Sequence, residues 1–349
     1  MPVRIAVDAM GGDHAPREIV RGCVEAARHL KGIDELVLFG DEPTLHAELA
    51  AYKPKEPKGI SAAKITVVHT TQVITMEDSP TQAVRAKPDA SMNRAIKSVR
   101  EEQADALVSA GNTGALVAAS IFGLRRIPGL KRPALGAVIP TLDYKRPLLI
   151  LDVGATPDCT EVELEQFAIM GHVYSHVILH QATPSIGLLS IGTEETKGNE
   201  VTRKTFEVLS RLSSISFAGN VEGHSVFNGE IDVVVCDGFV GNVMLKTIES
   251  VARTIGHWMR HEIKRSIFRM FGALFLSGAI YSMKKKMNPD LYGGAPLLGV
   301  NGIVIKAHGH SKKNAIFHAI RVAAEAVAAR MTEQIAAHLD KLRSVNEPG

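Results

Sequence analysis

Residues 3–30, VRIAVDAMGGDHAPREIVRGCVEAARHL, carry in one stretch the signals that decide the fold. Val3 to Ala9 is an apolar, β-branched run with no polar alternation before Asp8, which is the pattern of a strand covered on both faces. Gly11 and Gly12 break it, and Pro16 precedes a segment, Ile19 to Leu30, whose apolar residues recur at i, i+3 and i+4. The stretch therefore reads as strand, glycine turn, helix. The same alternation recurs along the chain. Strand-like runs stand at 35–40 (ELVLFG), 64–69 (KITVVH), 105–110 (DALVSA), 135–140 (LGAVIP), 148–153 (LLILDV), 186–191 (IGLLSI), 231–236 (IDVVVC) and 302–307 (GIVIKA). Helical patterns lie between many of them, among them 91–99, 162–179 and 313–339. Apolar strands alternating with helices predict an α/β fold built on a mostly parallel sheet. Residues 1–349 are read as one catalytic unit, with 52–62 as a surface excursion.

Composition narrows the class. With 349 residues, 45% of them hydrophobic and 22% charged, the chain has the make-up of an ordinary globular enzyme. A formal charge of +3, without interleaved aromatics, gives no footprint for nucleic acid. Cys23, Cys159 and Cys236 are far apart and form no C-x-x-C pair, so free thiols are expected. The N-terminus enters a strand-like run at once and offers no signal peptide or presequence, from which a cytoplasmic location is expected.

Ligands of such sheets gather at the carboxyl ends of the strands. Five of those ends share one chemistry: DAMGGDHAP (8–16), SAGNTGALVAA (109–119), SIGTEETKGNE (190–200), VVVCDGFVGNVMLK (233–246) and KAHGHS (306–311). Glycines at helix entrances let backbone N–H groups converge on an anion, with the helix dipole in support. Gly11, Gly12, Gly111, Gly114 and Gly241 fit that role, while Asn112, Thr113 and Asn242 add neutral donors and Lys197 a point charge. His14 and His308 lie in the same loops and suit proton transfer or phosphate contact. Each loop alone is equally a turn with a helix cap; five together point to an anion pocket.

Other chemistries lack their signatures. There is no G-x-G-x-x-G, no G-x-x-x-x-G-K-[ST] and no G-x-S-x-G, so neither dinucleotide, ATP nor a serine nucleophile is expected. Asp8, Asp13, Asp152 and Asp237 stand near strand ends, where acidic residues more often orient loops and cap helices than bind Mg²⁺. His172, His176 and His180 repeat at i, i+4 and i+8, but the outer two lie about 12 Å apart along a helix. One ion cannot take all three, and a solvated or interface face is expected there and at His257 and His261. No metal and no cofactor is expected.

One segment stands apart. Met270 to Met283 carries no charge, and Lys264, Arg265 and Arg269 precede it while Lys284, Lys285 and Lys286 follow. It is shorter than the roughly 20 residues needed to span a bilayer. A membrane surface, a dimer partner and the protein core all remain open as its destination.

The loops taken together resemble the phosphate acyltransferase family of bacterial phospholipid synthesis. The likeness rests on VDAMGGDHAP, SAGNTGALVAAS, LDVGA, KGNE, GNVEG, FNGEIDVVVCDGFVGNVMLKT and YGGAPLLGVNGIVIKAHG, which together run from residue 7 to 309. GATPDCT (154–160) and HGHSKKN (308–314) depart from the family's usual pattern. The resemblance implies a three-layer α/β/α sandwich similar to phosphotransacetylases and to isocitrate and isopropylmalate dehydrogenases. It implies a homodimer that transfers a fatty acyl group from acyl carrier protein to inorganic phosphate. Phosphate is itself the nucleophile, so no covalent enzyme intermediate is required. On this reading Lys197 is the principal phosphate or oxyanion cation and Asn242 a donor to the same charge. Asn112, Thr113, Gly111 and Gly114 complete the cradle, Asp13 and His14 position phosphate or relay a proton, and Asp237 orients Lys197 or the GFVGN turn. The product would pass to an integral membrane glycerol-phosphate acyltransferase. The apolar segment, through Phe271, Leu274, Phe275, Leu276 and Ile280, then reads as a peripheral contact on the inner face of the cell membrane. The competing readings are a phosphotransacetylase acting on acyl-CoA, a dehydrogenase of the isocitrate or isopropylmalate type, and a non-catalytic scaffold.

Overall fold

A computed structural model describes residues 3–52, 63–286 and 289–346. The 52–62 excursion lies, from residue 53 on, outside the described residues, as do the side chains of Lys284 and Lys285. The strands are β1 (Val3–Asp8), β2 (Ile33–Gly40), β3 (Lys64–His69), β4 (Ala106–Ser109), β5 (Ala134–Ile139), β6 (Leu148–Leu151), β7 (Ser185–Leu189), β8 (Ser216–Val221), β9 (Val233–Val235), β10 (Ala295–Leu298) and β11 (Ile303–Lys306). The helices are α1 (Arg17–His29), α2 (Glu42–Ala51), α3 (Pro80–Ala86), α4 (Ser91–Arg100), α5 (Thr113–Leu124), α6 (Glu161–Val177), α7 (Glu200–Ser210), α8 (Gly238–Lys264), α9 (Ile267–Phe275), α10 (Ser277–Lys286), α11 (Lys313–Ala328) and α12 (Met331–Asn346).

All the strands join one eleven-stranded sheet in the order β3-β2-β1-β4-β11-β10-β5-β6-β9-β7-β8. β3, β2, β1, β4 and β11 are mutually parallel, as are β6, β9, β7 and β8. Between the blocks, β10 pairs antiparallel with β11 and β5, and β5 pairs antiparallel with β6. The second block consequently runs opposite to the first. The α/β class with helices on both faces is as expected, but the five ligand loops divide into two groups. Apolar alternation on the strands explains the layers. Ile5, Val7, Leu149, Leu151, Val233 and Val235 feed the core under α1, α6, α11 and α12. Ala6, Leu148, Ile150 and Val234 face the opposite core, under α4 and α5.

Two sequence expectations shift. Residues 313–339 form two helices, because Arg330 turns the backbone to φ 52 between α11 and α12. His180 falls beyond the end of α6 with φ 57, so only His172 and His176 share its face, and their rings stack 6.4 Å apart. No helix among the described residues is long and apolar enough to cross a membrane.

Candidate active site

The first group forms where β1, β4 and β11 end side by side. Gly11 lies so close to Gly111 that a Cβ on Gly11 would stand 2.8 Å from the Gly111 nitrogen. Gly12 takes φ +100 and sits against the carbonyls of Ala110 and Gly309, a conformation and a space that suit glycine. Asp8 lies wholly inside, accepting hydrogen bonds from Ser91 Oγ at 2.6 Å and Ser109 Oγ at 2.7 Å. Burial raises its carboxyl above the usual range, against the pull of those bonds. The Asp13 N–H donates to the Gly309 carbonyl at 2.9 Å, and the Asp13 carboxylate pairs with the His310 ring. His14 and His308 stand around the same ring, with centroids 6.3 and 5.5 Å from that of His310. Desolvation holds His308 below the ordinary histidine range, and Lys306, Lys246 and His310 add repulsion that Glu249 opposes.

Asn112 does not serve as the free donor that its sequence context suggests. Its Oδ1 caps α5 by accepting from the Ala115 N–H at 3.1 Å, and its Nδ2 donates to the carbonyls of Thr75, Met76 and Asp78. It is buried, and it ties the 75–78 loop to the start of α5. Thr113 and Gly114 open that helix beside it.

The second group collects at the ends of β6, β9 and β7. Asp152 is fully buried, and its two oxygens accept from the N–H groups of Leu135, Gly154, Ala155 and Thr156 at 2.6 to 3.1 Å. Burial raises its carboxyl, while these donors work in the opposite direction. Both Asp8 and Asp152 spend their oxygens on protein donors, and among the described residues no cluster of three metal-ligating side chains is found. Asp152→Asn turns an amide NH2 toward at least one of those N–H groups. It should lower unfolding free energy by roughly 2 to 4 kcal/mol, the cost of orphaning buried donors. A urea titration with the wild-type midpoint would refute this.

Asp237 caps α8, its Oδ1 accepting from the Val240 N–H at 2.8 Å, which fixes the GFVGN turn. The backbone at this entrance is spent on protein, since Gly238 donates to Thr156 O at 2.9 Å and Gly241 to Asp237 O at 3.0 Å. Gly241 packs directly on the Asp152 carbonyl. Asn242 behaves differently. It is exposed, forms no side-chain hydrogen bond among the described residues, and with Val243, Lys246, Thr247, Ser250 and Val251 lines a groove of about 440 Å³. Lys197 comes from the loop after β7, the strand beside β9. Gly198 (φ +99) and the Asn199 cap of α7 shape that loop, and the exposed Lys197 side chain has no ion-pair partner among the described residues.

Helix α8 joins the two groups. Lys246, one turn beyond Asn242 and so about 6 Å along the axis, lies near enough to Lys306 and His308 to repel both. Neither lysine was singled out from the sequence. A charge closing the apolar run GIVIK and a lysine four residues after Asn242 were the available signals. The cysteines are poor nucleophiles here. Burial, aided by the charges of Asp152, Glu163 and Asp237, pushes the Cys159 thiol up to about 12, and Cys236 is raised as well. The arrangement suits an anion that arrives from solution and attacks a substrate carbonyl.

The chain is similar to known proteins in sequence and in fold. A family model described as "Fatty acid synthesis protein" matches residues 3–334. The chain is 46% identical over 347 residues to a phosphate acyltransferase of Desulfitobacterium hafniense, covering 99% of this chain and 100% of that one. It is 42% identical over 345 residues to a phosphate acyltransferase of Nostoc sp., covering 99% and 98%. In fold it is similar to a phosphotransacetylase from Streptococcus pyogenes, with a TM-score of 0.61, 15% identity and 94% of each chain covered. With identity of this order carried over essentially the whole length, the chain belongs to the phosphate acyltransferase family.

Proposed function

We propose that this chain transfers a long-chain fatty acyl group from acyl carrier protein to inorganic phosphate, and that the acyl phosphate feeds phosphatidic acid and phospholipid synthesis. The observation that carries the reading is the groove on α8. An unpaired Asn242 amide and the Lys246 ammonium line it, beside a cation-rich strand end. Phosphate held there attacks the thioester carbonyl, and Asn242 with Lys197 from the adjacent strand end receives the charge that develops on the carbonyl oxygen. Asp237 acts on Asn242 by fixing the helix start. The test compares free thiol released from palmitoyl-acyl carrier protein and from palmitoyl-CoA, with and without phosphate. Phosphate-dependent release from the carrier protein is expected. Release from CoA alone would assign the chain to phosphotransacetylase chemistry, and turnover of a nicotinamide dinucleotide to a dehydrogenase.

The same proposal includes a homodimer resting on the inner face of the cell membrane, near the enzyme that consumes the product. Ile255 and Trp258 stand exposed on α8 beyond the groove, apolar surface of the kind that a second copy covers. Beyond it come α9 and α10, on and between which Phe268, Phe271, Leu274, Phe275 and Leu276 are all exposed, while Ile280 is half-buried. Lys264, Arg265 and Arg269 flank these rings, a combination suited to an anionic bilayer surface. Deleting Ala273 to Ile280 should abolish co-sedimentation with anionic liposomes and leave thiol release in solution intact. Undiminished sedimentation would assign the segment to protein packing.

A further inference from the structure

We propose that Lys306 seats the phosphate nucleophile and carries its proton to the departing thiolate. This deepens the acyl-transfer reading and rests on it. Lys306 closes β11 in the middle of the sheet, paired with Ser109 of β4 and Ala295 of β10, and is only 7% exposed. Its Nζ donates to the Ala307 carbonyl at 2.6 Å, the one acceptor bonded to it among the described residues, which leaves donors of the ammonium unspent. The charged groups around it are Lys246 and Glu249 of α8, Asp13 of the loop after β1, and His308 and His310 of its own loop. Both carboxylates are already engaged, Asp13 with His310 and Glu249 with Lys246 at 3.1 Å. A buried cation with no carboxylate bonded to it is costly, and an anion that meets its unspent donors offsets that cost.

Lys246, whose charge reaches Lys306, stands about one helical turn from Asn242, so a dianion held by both lysines is brought toward that amide. From that seat an oxygen of HPO₄²⁻ attacks the carbonyl carbon; the C–O bond forms as the carbonyl electron pair moves to oxygen. The adduct collapses, the C–S bond breaks, and its electron pair leaves with sulfur. Lys306 gives one Nζ proton to the sulfur and regains the proton that the phosphate carried. Acyl phosphate dianion and free thiol result, and Lys306 ends as it began. Burial, with repulsion from Lys246, brings the Lys306 ammonium down to about 8. An ammonium weakened in this way gives up its proton more readily than an ordinary lysine does.

The experiment measures melting temperature against inorganic phosphate, and turnover against pH, for wild type, Lys306→Met, Lys306→Arg and the exposed control Lys204→Met. Phosphate should raise the wild-type and control melting temperatures. Lys306→Met should fold, lose that rise and lose about 100-fold in turnover. A lysine with a merely structural role would not couple the phosphate response to activity. Wild type should lose rate above pH ~8; Lys306→Arg should keep the phosphate response, yet fall at least about tenfold in turnover and lack that decline, since arginine does not give up its proton. A phosphate response and turnover retained in Lys306→Met would overturn the proposal; should that variant not fold, a wild-type pH profile in Lys306→Arg does the same. If wild type binds phosphate through Lys306 but releases no thiol, acyl transfer is overturned and the anion seat is upheld.

Discussion

Lys197→Ala lowers phosphate-dependent thiol release by about 100-fold or more, the loss typical of removing one donor from a developing oxyanion, and leaves thermal unfolding where it was. The two halves of this expectation have separate grounds. The Lys197 side chain is exposed and makes no ion pair among the described residues, so its removal costs the fold little. The loop that carries it is held by other means. Its backbone N–H donates to the Glu194 carbonyl at 3.0 Å, Asn220 Nδ2 donates to the same oxygen at 2.8 Å, and Asn199 caps α7. A lysine presented without a structural partner, at the strand end beside β9, is available to substrate. Near-normal turnover in the folded variant would remove Lys197 from the mechanism and leave the oxyanion to Asn242.

Gly241→Ala should be the most damaging small substitution in the site. A methyl there overlaps the Asp152 carbonyl oxygen and would stand 2.9 Å from Cys236 Sγ. The obstacle is backbone held by strand hydrogen bonds, with Asp152 N donating to Cys236 O at 2.9 Å, so it cannot rotate aside as a flexible side chain would. The start of α8 has to move outward, taking Asn242 and Lys246 with it. Overpacking of this kind costs roughly 1 to 3 kcal/mol, and a misplacement of about 1 Å costs on the order of 100-fold in rate. Circular dichroism should therefore find a folded, less stable protein that turns over poorly. Wild-type activity would mean that the helix entrance does not position the reacting groups.

Much of the scaffold was legible because strands such as VRIAVD and VVV are apolar on both faces and their helices keep a 3.6-residue period. β8 escaped because Ser216, Gly219 and Asn220 interrupt its apolar pattern, and β10 because Pro296 and flanking glycines read as a loop. The reversal of the second block was not legible. It depends on β10 meeting β5, a pairing that joins Leu297 to Leu135, well over a hundred residues apart. The same limit applies to the site. Asn112 and Asp237 were recognisable as polar residues at helix starts, but that the Asn112 amide is also spent is set by neighbours distant in sequence, the carbonyls of Thr75 and Met76. Lys306 was overlooked because a lysine at a strand end ordinarily meets water. Its burial, and the reach of the Lys246 charge to it, come from the packing of elements distant in sequence.

In the proposed reaction phosphate itself attacks the acyl thioester in the groove beside α8. Incubating the protein with palmitoyl-acyl carrier protein and hydroxylamine, with and without inorganic phosphate, tests it most directly by measuring palmitoyl hydroxamate. Hydroxamate that appears only with phosphate, in step with free carrier thiol, is the predicted result. Thiol released at the same rate without phosphate, or with no trappable acyl phosphate, would contradict it.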